Sequence, residues 1–142
     1  MAQQKLILGI ETSCDETAAS VVSFNGKVLS VLSNAVASQI PIHRLTGGVV
    51  PEVAAREHVT TIVPTIKLAL SKAKLAKEDL DAVAVTAGPG LLPALMVGVD
   101  TANALSLALG IPVIPVQHIS GHIYANFLSG AKNSIDTNKV KF

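Results

Sequence analysis

Residues Gly9-Ile10-Glu11-Thr12-Ser13-Cys14-Asp15-Glu16-Thr17 decide how the rest of the chain is read. The stretch continues an apolar run, Lys5-Leu6-Ile7-Leu8-Gly9-Ile10, which predicts a strand buried on both faces. It then becomes a polar turn with three carboxylates, three hydroxyls and one thiol. Ala18 to Phe24 resumes a strand-like run. Asn25-Gly26 follows, and then a further apolar run from Lys27 to Val36. Asn-Gly between two such runs is the strongest short hairpin signal. The polar corner has two readings: a solvated turn, or side chains gathered for chemistry.

Composition narrows the class. A chain of 142 residues is long enough for one domain with a real core. Its core is aliphatic, because 49% of residues are hydrophobic while there are three Phe, one Tyr and no Trp. Such residues with Gly-Pro punctuation suggest α/β packing. A net charge of +1 gives no electrostatic case of its own for nucleic-acid binding. One cysteine excludes an internal disulfide and fits a reducing compartment. Met1-Ala2-Gln3-Gln4-Lys5 carries no apolar signal-peptide region, and no run approaches the length needed to span a bilayer. The expectation is a soluble, cytoplasmic chain with no membrane partner.

Beyond the three strands, Val49 to Ala73 predicts a helix, opened by Pro51-Glu52. Val59, Ile62, Val63, Ile66, Ala69, Leu70 and Ala73 recur at helical spacing, and Pro64 is expected to kink or split the helix near Thr60 to Val63. Lys67, Lys72, Lys74 and Lys77 read as its solvated face. Asp81 to Ala87 predicts a buried strand ending in the turn Gly88-Pro89-Gly90. Leu95 to Leu109 predicts a helix closed by Gly110, Pro112 to Val116 a short strand, and Gln117 to Leu128 a helix. The lobe is placed at 1–129. Residues 130–142 lose the pattern and read as a polar tail or the start of a second lobe. The order fits an α/β fold with a mixed β-sheet flanked by helices, as in one lobe of an actin-like or ribonuclease-H-like ATPase.

Two clusters could carry chemistry. In the opening turn, backbone N–H groups and the hydroxyls of Thr12, Ser13 and Thr17 can donate to phosphate oxygens. Glu11, Asp15 and Glu16 cannot approach phosphate unaided. They need a cation such as magnesium between, a water to orient, or a proton to accept. Gly88 and Gly90 are candidates for close approach of a ligand, and a bare turn explains them equally well. Cys14 beside carboxylates has a disfavoured thiolate and reads better as a small buried filler than as a nucleophile.

The second cluster is His118-Ile119-Ser120-Gly121-His122. Spacing i, i+4 places both imidazoles on one helix face, about 6 Å apart along the axis. Two ring nitrogens can then meet one metal at roughly 2.0–2.1 Å, although a zinc or iron site needs a third protein ligand. Two partly buried histidines in a helix cap are the plainer alternative. No Glu lies between them, which argues against a zincin-type protease. A weaker set is His43, Glu52, Arg56 and His58. There Glu52 and Arg56 read by default as an i, i+4 surface pair, and otherwise as groups at a cleft mouth.

Four motifs in this order resemble one family. They are Gly9 to Thr17, Gly47-Gly48-Val49-Val50-Pro51-Glu52-Val53-Ala54-Ala55-Arg56-Glu57-His58, Thr86-Ala87-Gly88-Pro89-Gly90-Leu91 and His118 to His122. From about Leu6 to Phe127 the chain resembles the TsaD family, tRNA adenosine threonylcarbamoyltransferases once called O-sialoglycoprotein endopeptidases. The resemblance implies a two-lobed actin-like fold. It implies transfer of a threonylcarbamoyl group from threonylcarbamoyl-AMP to the adenosine adjacent to the anticodon of tRNA. It implies that His118 and His122 are metal ligands for Fe or Zn, and that Glu11 to Thr17 lines the active-site cleft. It also implies TsaB-like and TsaE-like partner subunits, with contacts or dimerisation through helices 53–73 and 95–109.

Members of this family continue for about another lobe. That lobe carries a Ser-Gly-Gly-His-Thr loop, adenylate-binding residues and an Asp as third metal ligand. The expectation is therefore an incomplete portion, not active alone, with the rest supplied by further sequence or another chain. Two alternatives stay open. An actin-like sugar or acetate kinase fragment would share the phosphate corner and have no use for His118 and His122. A non-catalytic TsaB-like lobe would lack a metal site.

Overall fold

A computed structural model describes residues 4–128 and 134–136. Strands β1 (Lys5–Glu11), β2 (Glu16–Phe24) and β3 (Val28–Ser38) run antiparallel in succession. The β2–β3 hairpin turns at Asn25-Gly26 as expected. Gly26 takes φ 86°, and the Asn25 side-chain oxygen accepts from the amides of Lys27 and Val28 at 3.1 and 2.8 Å. A short helix α1 (Ile40–His43) and a 3-10 turn (Arg44–Thr46) lead into helix α2 (Pro51–Ala73). Strand β4 (Ala82–Gly88), helix α3 (Leu92–Leu109), strand β5 (Val113–Gln117) and helix α4 (His118–Leu128) follow. The sheet order is β5-β4-β1-β2-β3-β6, where β6 is Ser134–Asp136, and β1, β4 and β5 run parallel. This is the mixed sheet with flanking helices anticipated for an actin-like, ribonuclease-H-like lobe.

The core lies between the sheet and the pair α2/α3. Leu8 and Ile10 of β1 and Val83 and Val85 of β4 meet Ile62, Ile66 and Ala69 of α2 and Ala102 of α3. Residues alternate across a strand, so one face of β1 is sealed by these helices. The other face is not: Ile7, Gly9 and Glu11 stay partly exposed. Burial of β1 on both faces was expected and is found on one only, because α2 and α3 both pack on that same side.

Four other expectations change. Helix α2 is not split: it runs unbroken through Pro64. The hydrogen bond forfeited there belongs to the Thr60 carbonyl. Thr60 and Pro64 are both exposed, so water can serve that carbonyl while the buried face stays intact. Helix α3 begins three residues early, at Leu92, with Pro93 in its first turn. Its 18 residues have a mean hydropathy of 1.4, long and apolar enough by length and composition to cross a membrane, against the expectation that no run would be. In this fold α3 packs on β4, β1, β5 and α2, burying Ala94, Leu95, Gly98 and Ala102. Lastly, Ser134–Asp136, expected to be patternless, forms β6 and pairs antiparallel with Val28–Ser30 at the sheet edge. The rest of the expected polar tail lies outside the described residues.

The parallel strands set the site. The C-terminal ends of β1, β4 and β5 reach the same edge of the sheet, the usual place for ligand chemistry in such folds. Glu11 ends β1, Thr86 is near the end of β4, and His118 directly follows β5.

Candidate functional site

The turn between β1 and β2 is held from below. Thr12 is fully buried and its hydroxyl donates to the Ala94 carbonyl in the first turn of α3 at 2.9 Å. Gly98, one turn further on, leaves room for Thr12: a Cβ there would stand 2.4 Å from its Oγ1. The Leu91 amide donates to the Ser13 carbonyl at 2.8 Å, and a Cβ on Gly90 would meet that carbonyl oxygen at 2.7 Å. The Gly88-Pro89-Gly90 loop therefore uses the bareness of Gly90 to seat the turn itself. Gly88 takes φ 153° with open space around its Cβ position.

On the other side stands His58, fully buried in the middle of α2. Its Nε2–H donates to the Cys14 carbonyl at 3.0 Å, which leaves Nδ1 facing the Thr17 hydroxyl at 2.8 Å. Thr17 is also 2.8 Å from the Thr61 hydroxyl. Burial pushes the His58 pKa down. The Cys14 hydrogen bond and the charges of Glu11 and Asp15 oppose that push, and His43 adds to it. Gln39 completes the layer, with its backbone N–H donating to the Asp15 carbonyl and its Oε1 accepting from His43 Nε2 at 2.9 Å.

The hydroxyls expected to donate to phosphate are thus turned inward: Thr12, Ser13 and Thr17 are all buried and bonded within the chain. Cys14, expected to be a buried filler, is exposed instead. Its thiol pKa is raised, first by desolvation and then by Asp15 and Glu11, so the thiolate is disfavoured as anticipated. Alternation from β2 drives this swap. Thr17 falls on the covered face, while Cys14, Asp15 and Glu16 line the cleft.

Glu11 and His118 join the two sequence clusters. Glu11 Oε1 accepts from the Ser13 amide at 2.5 Å. Its Oε2 accepts from the Thr86 hydroxyl at 2.6 Å and lies 3.1 Å from His118 Nδ1. Burial works against the Glu11 charge, but the hydrogen bonds from Ser13, Thr86 and His118 outweigh it and hold the carboxyl below the ordinary glutamate value. A carboxylate only accepts, so His118 Nδ1 carries the proton, with Ser13 Oγ also 3.1 Å away. His118 Nε2 then points outward, 3.0 Å from Nε2 of His122, with the rings edge to face at 88°.

Glu11, Ser13, Cys14, Asp15, Glu16, His118, Gly121 and His122 line one cleft of about 330 Å³. Two nitrogens sharing one ion at about 2.0–2.1 Å lie roughly 2.9–3.4 Å apart, and the 3.0 Å found here falls in that span. Among the described residues no group of three His, Cys, Asp or Glu converges as a metal-binding set.

The weaker sequence set disperses. Glu52 and Arg56 form a 2.7 Å pair with side chains 76% and 78% exposed, the plain surface pair. His43 and His58 are interior. Thr86, Thr61 and Gln39 were not singled out as site residues; their partners Glu11, Thr17 and His58 lie 75, 44 and 19 residues away. Only Thr86 carried a signal, as a lone hydroxyl near the end of an apolar strand destined for the sheet centre.

Fold and site together define a class: an actin-like α/β lobe with a carboxylate-buttressed histidine pair at the C-terminal edge of its parallel strands. Residues 30–136 match the family TsaD, tRNA N6-adenosine threonylcarbamoyltransferase. The chain belongs to this family. It is 58% identical over 128 residues to the tRNA N6-adenosine threonylcarbamoyltransferase of Staphylococcus epidermidis, covering 90% of this chain and 37% of that protein. Against the Bacillus subtilis protein of the same name it is 56% identical over 130 residues, with the same two coverages. The chain thus spans little more than a third of the length of these relatives. Among solved structures, YeaZ from Pseudomonas aeruginosa superposes with a TM-score of 0.58 at 17% identity, over 80% of this chain and 43% of YeaZ, a likeness of fold.

Proposed function

We propose that this chain supplies one wall of a site where a threonylcarbamoyl group passes from threonylcarbamoyl-AMP to the adenosine adjacent to the anticodon of a tRNA. The observation that carries the reading is the single cleft uniting the acidic turn with the histidine pair. The adenosine exocyclic amine attacks the carbamoyl carbonyl carbon. A C–N bond forms, the C–O bond to the phosphate breaks, and AMP leaves. The amine's surplus proton needs an acceptor. Asp15, half-buried, and Glu16, exposed, are the carboxylates at the cleft that take it or hold a magnesium ion accompanying the nucleotide. Thr12, Ser13, Thr17 and Gly90 keep the turn in shape, and Gly88 leads into the loop beneath it.

His118 and His122 would hold one iron or zinc ion per subunit, with a third ligand from outside the described residues. Such an ion supplies Lewis acidity and a fixed template for the reacting carbonyl. A kinase reading leaves this facing pair of imidazoles without a task.

The partners proposed are tRNA and subunits resembling TsaB and TsaE, in the cytoplasm. Pairing through helices 53–73 and 95–109 is supported by exposed Val59 and Val63 on α2 and Met96 and Leu107 on α3.

The test is a chimera in which residues 1–128 of this chain replace the matching segment of the Bacillus subtilis relative. It is expected to transfer labelled threonine from threonylcarbamoyl-AMP to tRNA. His118→Ala, His122→Ala or a paired Asp15→Asn/Glu16→Gln change should each cut the rate by about 100-fold or more. A folded chimera that transfers nothing, or variants that keep the full rate, would refute the reading.

A further inference from the structure

We propose that Glu11 is a positioning residue for the histidine pair: its carboxylate fixes the His118 tautomer and ring angle so that His118 Nε2 and His122 Nε2 converge on one ion. This rests on the metal reading above and assigns Glu11 a role other than acid or base.

Glu11 has no idle oxygen. One oxygen is taken by the Ser13 amide, and the other by the Thr86 hydroxyl and His118 Nδ1. A carboxylate engaged on both oxygens is poorly placed to collect a proton from substrate. It is well placed to hold an imidazole. With Nδ1–H donated to Glu11, His118 presents a lone pair at Nε2, the form a metal requires.

The arrangement is built into the sheet rather than a loop. Ile10 pairs with Val85 and Thr86 pairs with Val116. That register brings the end of β1 beside Thr86, and Thr86 beside Val116, two residues before His118. Thr86 orients Glu11, Glu11 orients His118, and the α-helical i, i+4 spacing delivers His122. Asp15 and Glu16 lie in the same cleft, and neither makes a hydrogen bond to His118 among the described contacts.

Two measurements on the 142-residue chain test this. Imidazole ¹⁵N shifts in the metal-free chain report the tautomer. His118 is expected as Nδ1–H in the unaltered chain and as predominantly Nε2–H in Glu11→Gln. Zinc titration reports the consequence. Glu11→Gln is expected to weaken zinc binding by roughly 10–100-fold, the usual effect of losing such a partner, and Asp15→Asn by less than about threefold.

An equal loss in Asp15→Asn would mean that general negative charge is at work, and would overturn the proposal. So would unchanged shifts and affinity in Glu11→Gln while His118→Ala still abolishes binding, a result that leaves the metal reading intact. If His118→Ala leaves zinc affinity unchanged, the metal reading fails and takes the proposal with it. Should Glu11→Gln not fold, Thr86→Val against Thr86→Ser separates the same outcomes, because only Val removes the hydroxyl that orients Glu11.

Discussion

At the scale of single residues, His58 shows how a buried polar group shapes an exposed site. It touches no cleft, yet it binds the Cys14 carbonyl and faces Thr17, the two sides of the acidic turn. His58→Ala would leave a cavity and strand the Cys14 carbonyl. It is expected to cost about 2–4 kcal/mol in urea denaturation. His58 also makes stability depend on pH, with a definite sign. Its folded pKa lies below the ordinary 6.5, chiefly through burial. Its contribution is therefore complete above pH 6.5 and fades as pH falls from there through the folded value, because the unfolded chain binds the proton first. Unfolding free energy measured at pH 7.5 and at pH 5.5 should show this decline, and His58→Gln should flatten it. A decline of equal size in His58→Gln would assign it to other groups. Nothing in the sequence singled His58 out for this task. Its helical position was legible, but its partners lie 41 and 44 residues away.

Among the elements, α2 repays most attention. Its 23 residues carry Pro64 on the solvent side, where the missing N–H strands only an exposed carbonyl. Pro64→Ala should restore that hydrogen bond and stabilise the chain by about 1–3 kcal/mol, read as a shift in the denaturation midpoint at unchanged slope. No gain would mean that water already serves the Thr60 carbonyl as well as an amide would. Strands and helices were legible because alternation and 3.6-residue periodicity report burial directly. The unbroken course of α2 was not, since periodicity cannot say that Pro64 would fall on the wet face of a helix held by its other side. The inward turn of Thr12, Ser13 and Thr17 was equally hidden. A turn has no period, so composition names its donors without saying which way they point.

For the whole molecule, the legible part was the gathering of motifs, and the illegible part was how they touch. Glu11 and His118 are 107 residues apart, joined only by strand register. Glu11 bonds to Thr86 and His118, while Asp15 and Glu16 line the cleft. The described residues line that cleft, in a chain that spans 37% of the length of its Staphylococcus epidermidis relative. The acidic turn and the histidine pair line one cleft, and the central claim is that they are one site. Titrating the ¹⁵N-labelled chain with cobalt(II) and mapping paramagnetic shifts tests that claim most directly. The largest effects are expected at His118 and His122, extending across the cleft to Cys14, Asp15 and Glu16 and leaving Glu52 and Arg56 unmoved. Effects centred on His43 or on the Glu52–Arg56 surface, or confined to α4 with none at the turn, would contradict it.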